Sequence, residues 1–175
     1  MRWRGRQSTF RRSSRRSRFR ARLSARSITG DSNTGAVKSL PPEAQVRPDI
    51  QNWIDSAEYD LETARHMLKT GRYLYVVFMC HLSIEKMLKA HVTRVTEALP
   101  VKSHDLIFLY KKAGLELPQA QLEFIGLINN ASIPTRYPED LQRALADYPE
   151  AVARSYLQRT EEVIRWLKQL LISEE

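Results

Sequence analysis

The sequence predicts an all-helical fold, an antiparallel bundle of four to five helices over residues 48–172, preceded by a disordered, basic N-terminal arm and linker over residues 1–47. Three observations lead there. Past position 50 the apolar residues recur at three- and four-residue steps, the period of a helix with one buried stripe. Gly71, Pro100, Gly114 and Pro118 cut that stretch into pieces of helical length. No segment alternates apolar and polar residues with the period of two that a half-buried strand requires.

The arm stands apart by its charge. Residues 1–46 hold eleven Arg and Lys38 against Asp31 and Glu43, a net of +10, while residues 47–175 hold 16 basic and 18 acidic groups, a net of −2. Mutual repulsion of the arginines, with the Ser, Gly and Pro content, leaves too little apolar surface to offset the entropy of ordering. Two readings stay open for it. It is a solvated tail, or it is a polyanion-binding arm in which Arg forks grip phosphate while Trp3, Phe10 and Phe19 stack on bases. The first 30 residues contain no acid and are rich in Arg and Ser, as in a transit peptide, but lack the apolar stretch of a secretory signal. Pro41, Pro42 and Pro48 mark the linker into the folded part.

The first helix is expected to begin near Asp49 to Asn52, with Trp53, Ala57, Leu61, Ala64 and Leu68 along one stripe, and to end at Gly71. A very short turn then forces an antiparallel neighbour from about Tyr73 to Ala98, whose wide apolar face is Val77, Cys80, Ile84, Met87, Leu88, Val92 and Val95. A third helix is expected from a Ser103 cap, through Leu106 and Leu109, to Gly114. The fourth opens at Pro118, carries Leu122, Ile125 and Ile128, and dissolves at Asn129 and Asn130 into a loop over residues 132–140, whose two prolines argue against a helical interior. The last spans about Pro149 to Leu171, with Val152, Tyr156, Thr160, Val163, Trp166, Leu167 and Leu170 facing inward.

Composition excludes several function classes. Hydrophobic residues at 42% and charged residues at 27% are globular proportions. A single cysteine allows no intrachain disulfide, and the apolar neighbours Val76, Val77, Phe78 and Met79 predict that Cys80 is a buried, inert thiol in a reducing compartment. No stretch reaches the roughly 18 consecutive apolar residues that span a bilayer, so a cytoplasmic protein with no membrane partner is expected. The chain has no Gly-rich phosphate loop, paired Cys, His-Glu-x2-His, Gly-x-Ser-x-Gly or Glu-x2-His, so neither a metal nor a cofactor is expected.

Certain residues stand in a particular order. Trp53, Ala57, Asp60, Leu61 and Ala64 are followed by Gly71, Tyr73 and Phe78, then by Ile84-Glu85-Lys86 and Leu88-Lys89-Ala90, then by Lys102-Ser103-His104-Asp105-Leu106 and Thr135-Arg136-Tyr137-Pro138. In that order and spacing the chain resembles the HEPN family (higher eukaryotes and prokaryotes nucleotide-binding) over about residues 50–171, in the bacterial and archaeal branch often paired with a minimal nucleotidyltransferase. The resemblance implies a bundle that pairs as a homodimer, with polar residues gathered in a cleft between the second helix and the later loop. It also implies a place in a toxin–antitoxin-type system, binding a nucleotide, RNA or the nucleotidyltransferase partner. Many relatives cleave RNA without metal, using an Arg followed after four to six residues by His. Here no Arg has a His at that distance. The nearest substitute, Lys86 and His91, lies about 140° apart around an ideal helix and so shares no face.

The residues assigned to a nucleotide or RNA cleft are Glu85, Lys86, Lys89, His104, Arg136 and Tyr137, with His104 as candidate acid/base and Arg136 as candidate phosphate clamp of a divergent ribonuclease. Each also has a structural reading. Glu85 falls near an apolar stripe and wants a partner, with Lys89, Arg136 or His104 as the other half of a salt bridge. His104 can help begin the third helix, and Tyr137 can pack its loop down while Arg136 neutralises Glu85. His66 and His81 read as ordinary surface or interface residues.

Overall fold

The computed structural model describes residues 46–173; the predicted arm, apart from its last two residues, lies outside them. Among the described residues six helices follow one another: α1 (Pro48–Lys69), α2 (Tyr73–Thr96), α3 (Leu106–Ala113), α4 (Gln119–Arg136), α5 (Leu141–Asp147) and α6 (Glu150–Ser173). The described residues contain no strand.

Helix α2 is the axis of the bundle. It packs against α1, α3, α4 and α6, and fifteen of its 24 residues are buried. A helix packed against four neighbours buries most of its circumference, polar groups included, and here those are His81, Ser83, Glu85, Lys89, His91 and Thr93, while Tyr75, Phe78, Met79, Leu82 and Lys86 form a less covered strip. Several of these groups bond to neighbouring helices. The Ser83 hydroxyl donates to the Ala57 carbonyl of α1 at 2.8 Å, and His91 Nε2 donates to the Leu167 carbonyl of α6 at 2.9 Å. Arg65 on α1 reaches Glu161 on α6 at 2.8 Å, closing the α1–α2–α6 face.

The ends of the elements explain their lengths. Pro48 sits in the first turn of α1, where its missing N–H is not needed, and Gly71 at φ +72° turns the chain into α2. Helix α2 stops at Glu97, whose φ of 52° is a left-handed conformation uncommon for a residue with a Cβ. Asp105, not Ser103, caps α3: its side chain accepts from the backbone N–H groups of Ile107 and Phe108 at 2.9 and 3.1 Å. Asn129 on α4 accepts from the Leu106 N–H at 2.8 Å, so a second side chain fixes the same helix start.

The structure corrects the expected pattern in four further places. Helix α4 does not dissolve at Asn130 but runs on to Arg136 with Pro134 inside it. The hydroxyl of buried Thr135 donates to the Ala131 carbonyl at 2.7 Å, and Tyr137 N–H closes the last turn on Ile133 at 2.8 Å, so one proline near the end does not break the helix. The second half of the expected loop region leads into α5, whose start is capped by Asp140 through the N–H groups of Gln142 and Arg143. Val95 lies on the last turn of α2, beyond the cover of its neighbours, and is 56% exposed. On α6 Thr160, Val163 and Leu167 are buried as predicted, but the rest of the buried line is Ala153, Leu157, Ile164 and Leu171, with Val152, Tyr156, Trp166 and Leu170 at its half-buried border.

The contrast on α2 is testable. Val92→Ala, at a fully buried site, is expected to lower stability by about 2 kcal/mol, and Val95→Ala by less than about 0.5 kcal/mol. Urea denaturation of the two variants checks this, and equal losses would contradict the placement of Val95.

Candidate functional site

Glu85 lies near the middle of α2, only 3% exposed, and its two oxygens serve two different partners. Lys89, one turn later on the same helix, donates from Nζ to Oε1 at 2.7 Å. His104, in the segment before α3, places Nδ1 2.9 Å from Oε2. A third group, His81, is fully buried one turn earlier with Nδ1 3.9 Å from Oε2, too far for a hydrogen bond. Burial alone would raise the Glu85 carboxyl, but the bonds from Lys89 and His104 outweigh it and hold the group below its ordinary value. Glu85 is therefore ionised at neutral pH.

An ionised carboxylate only accepts, so the His104 nitrogen facing it carries the proton. In neutral His104 that leaves Nε2 as the nitrogen with a free lone pair, on a side chain 65% exposed. Lys89 is also held from the other side, its Nζ lying 5.4 Å from the centre of the Trp53 ring on α1. Arg136, in the last turn of α4, does not bond to Glu85; its guanidinium lies over the Phe78 ring of α2 at 5.0 Å, and its Nε is buried without a hydrogen-bond partner among the described residues.

Not all of the predicted cleft residues meet here. Lys86 is taken up by the buried Asp60 of α1 at 2.6 Å. Tyr137 is 72% exposed and lines a separate cavity of about 380 Å³ between the end of α4 and α5, to which Glu85, Lys89, His104 and Arg136 do not contribute. The structure thus brings together Glu85, Lys89 and His104, with Arg136 stacked nearby on α2, and sets Lys86 and Tyr137 apart. Lys86 and His91, the substitute for the Arg/His spacing, also diverge, since His91 is buried against α6.

His81, which the sequence places at the surface or an interface, is instead enclosed in this group. The sequence around it gives no sign of what covers it: its neighbours are contributed by the His104 segment and by Arg136, far away in the chain. Burial pushes its pKa down to about 4, with Glu85 opposing the effect and Arg136 and His104 adding to it. The imidazole is neutral at pH 7. Cys80, by contrast, is as expected: burial pushes its thiol up to about 12, so it supplies no nucleophile.

Two measurements probe the cluster. Glu85→Ala leaves Lys89 buried without its counter-charge and is expected to lower stability by about 3 kcal/mol or more, whereas Arg154→Ala, at an exposed pair with Glu150, is expected to change it little; urea denaturation ranks the two. The second measurement concerns pH. Because folded His81 titrates near 4 and an ordinary histidine near 6.5, the unfolded chain takes up the proton first. Its contribution to stability is complete above pH 6.5 and is lost as pH falls toward 4, by at most about 1.4 kcal/mol per unit. The loss from protonating Glu85 comes only below its ordinary value of 4.5. Urea midpoints between pH 7 and about 4.5 should fall in the wild type and fall less steeply in His81→Gln; parallel slopes would rule out His81 as the titrating group.

The HEPN domain family model matches residues 50–170. Among solved structures the chain is similar to TT1696 from Thermus thermophilus, at 21% identity and a TM-score of 0.61, over 70% of this chain and 98% of that one. It is also similar to ST0689, an archaeal HEPN homologue, at 24% identity and a TM-score of 0.55, over 70% of this chain and 97% of that one. At these identities the likeness is one of fold. No curated protein sequence matches.

Proposed function

This chain belongs to the HEPN domain family, and from that membership we propose that it is a homodimeric binding component of a HEPN/nucleotidyltransferase pair of the toxin–antitoxin type, contacting a nucleotide or RNA around His104. The observation that carries the reading is the division of labour at Glu85. The carboxylate is buried and saturated, so it serves to hold Lys89 and His104 in place, while the His104 ring stands outside where a ligand can meet it. Arg136, stacked on Phe78, adds a second cation at the same end of the bundle. A phosphate-bearing ligand matches two cationic or protonatable donors in that position.

Binding is favoured over cleavage because the Arg and His spacing used by RNA-cleaving relatives is absent, and neither Lys86 nor His91 replaces it. One observation supports the second reading, a divergent metal-independent ribonuclease. A histidine whose Nδ1 is fixed by a buried carboxylate has the tautomer and orientation of a general base.

The two readings part in one experiment. Purified protein incubated with single-stranded RNA is expected to leave it intact and to bind it in a salt-sensitive way, with His104→Ala and Arg136→Ala each weakening binding by about tenfold. RNA cleavage that disappears in His104→Ala would replace the binding reading with the catalytic one, and the absence of both binding and cleavage would leave only the partner-binding role. Sedimentation of the same sample tests the homodimer.

A further inference from the structure

The end of α4 and the following helix α5 expose four large apolar side chains that no described residue covers. Ile133, Tyr137, Leu141 and Leu145 follow at four-residue steps, and all four are exposed, Ile133 at 71%. Isolated apolar side chains at a surface need no explanation, but Ile133 and Tyr137 line a cavity of about 380 Å³, with Leu141 and Leu145 exposed on the helix that forms its other side, and that is the form of a recognition surface. Pro134 and Pro138 stiffen its backbone, and Tyr148, held edge-on against Tyr156 of α6, forms part of the cavity wall.

The charges around this cavity say what would fill it. Glu139 and Asp147 line it without an ion-pair or hydrogen-bond partner among the described residues, and Asp140, though its oxygen caps α5, keeps its negative charge there. Arg143 is the only basic residue among those lining the cavity. A second copy of the chain is a poor occupant, because a two-fold contact would bring two net-negative faces together.

We propose that the α4–α5 face docks a short, basic amphipathic segment of a partner protein, with apolar side chains covering Ile133 and Tyr137 and Lys or Arg side chains meeting Glu139 and Asp147. In such a contact the apolar anchor supplies the affinity and the rim charges supply the choice of partner. The face is separate from the Glu85 cluster, so the proposal holds whether or not that cluster binds RNA.

A short amphipathic peptide of leucine and lysine serves as the probe, with a counterpart carrying glutamate in place of lysine, each titrated into the isotope-labelled full chain. The leucine–lysine peptide is expected to shift the resonances of residues 133–148 and the glutamate peptide to leave them unmoved. The double substitution Glu139→Lys with Asp147→Lys should weaken binding by about tenfold, and Glu116→Lys, outside the cavity, should leave it unchanged within about twofold. Tyr137→Ser should weaken binding while leaving the oligomeric state as it is. The proposal is overturned if the leucine–lysine peptide does not bind, if both peptides bind alike, if the double substitution has no effect, or if Tyr137→Ser dissolves a dimer, which would show that a second copy covers this face.

Discussion

A carboxylate inside the central helix is the constraint from which the arrangement of the candidate site follows. An unpaired charge at the depth of Glu85 is unfavourable by several kcal/mol, roughly the scale of a small domain's whole margin of stability. Lys89 satisfies one oxygen from the same helix, one turn away. The other oxygen cannot be satisfied from α2 by His81, which sits at 3.9 Å, so the chain must return, and it does so at His104 just before α3. Asn129 then fixes the first N–H of α3 from α4, and Arg136 closes α4 back onto α2 over Phe78. Three helices are thereby referenced to one carboxylate and to the aromatic ring that precedes it on α2.

Much of this was legible in the sequence, for identifiable reasons. Where a helix is bounded by Gly or Pro and buries one stripe, as α1 does, the pattern of Ala57, Leu61 and Ala64 gives both the element and its inner face. Glu85 could be recognised as a group in need of a partner because it falls on an apolar face, and two of the three partners named for it, Lys89 and His104, are the ones it has. The illegible parts are those decided by distant residues. Nothing near His81 announces that the His104 segment and Arg136 will enclose it. Pro134 carries a local signal for a loop, and the tertiary position of Thr135, buried with its hydroxyl on Ala131, overrides it. Helix α5 has only seven residues and one buried side chain, Ala144, so it offers no periodicity to read; its Asp140 cap was the available clue.

The same geometry limits what the Glu85 group can do. Counting only nearby side chains, one carboxylate faces Lys89 and Arg136, so the group carries a net charge of about +1 with His104 neutral and about +2 with it protonated. That is weak attraction for a polyanion compared with a dedicated phosphate cradle, and the Lys89 charge is already engaged inside the protein. For the proposed phosphate-bearing ligand, discrimination would have to come from the exposed imidazole and the stacked guanidinium rather than from bulk charge, since residues 47–175 carry a net of −2.

The last turn of α4 is where the two faces of the domain meet. Arg136 turns inward onto Phe78 and belongs to the cation-weighted end, while its neighbour Tyr137 turns outward at the edge of a cavity rimmed by carboxylates. Neighbouring positions on a helix point about 100° apart, so one turn suffices to place oppositely charged environments side by side. Pro134 lies in that turn and stiffens it. The sites are separate in their chemistry but share one turn of backbone, and a coupling between them would have to pass through it.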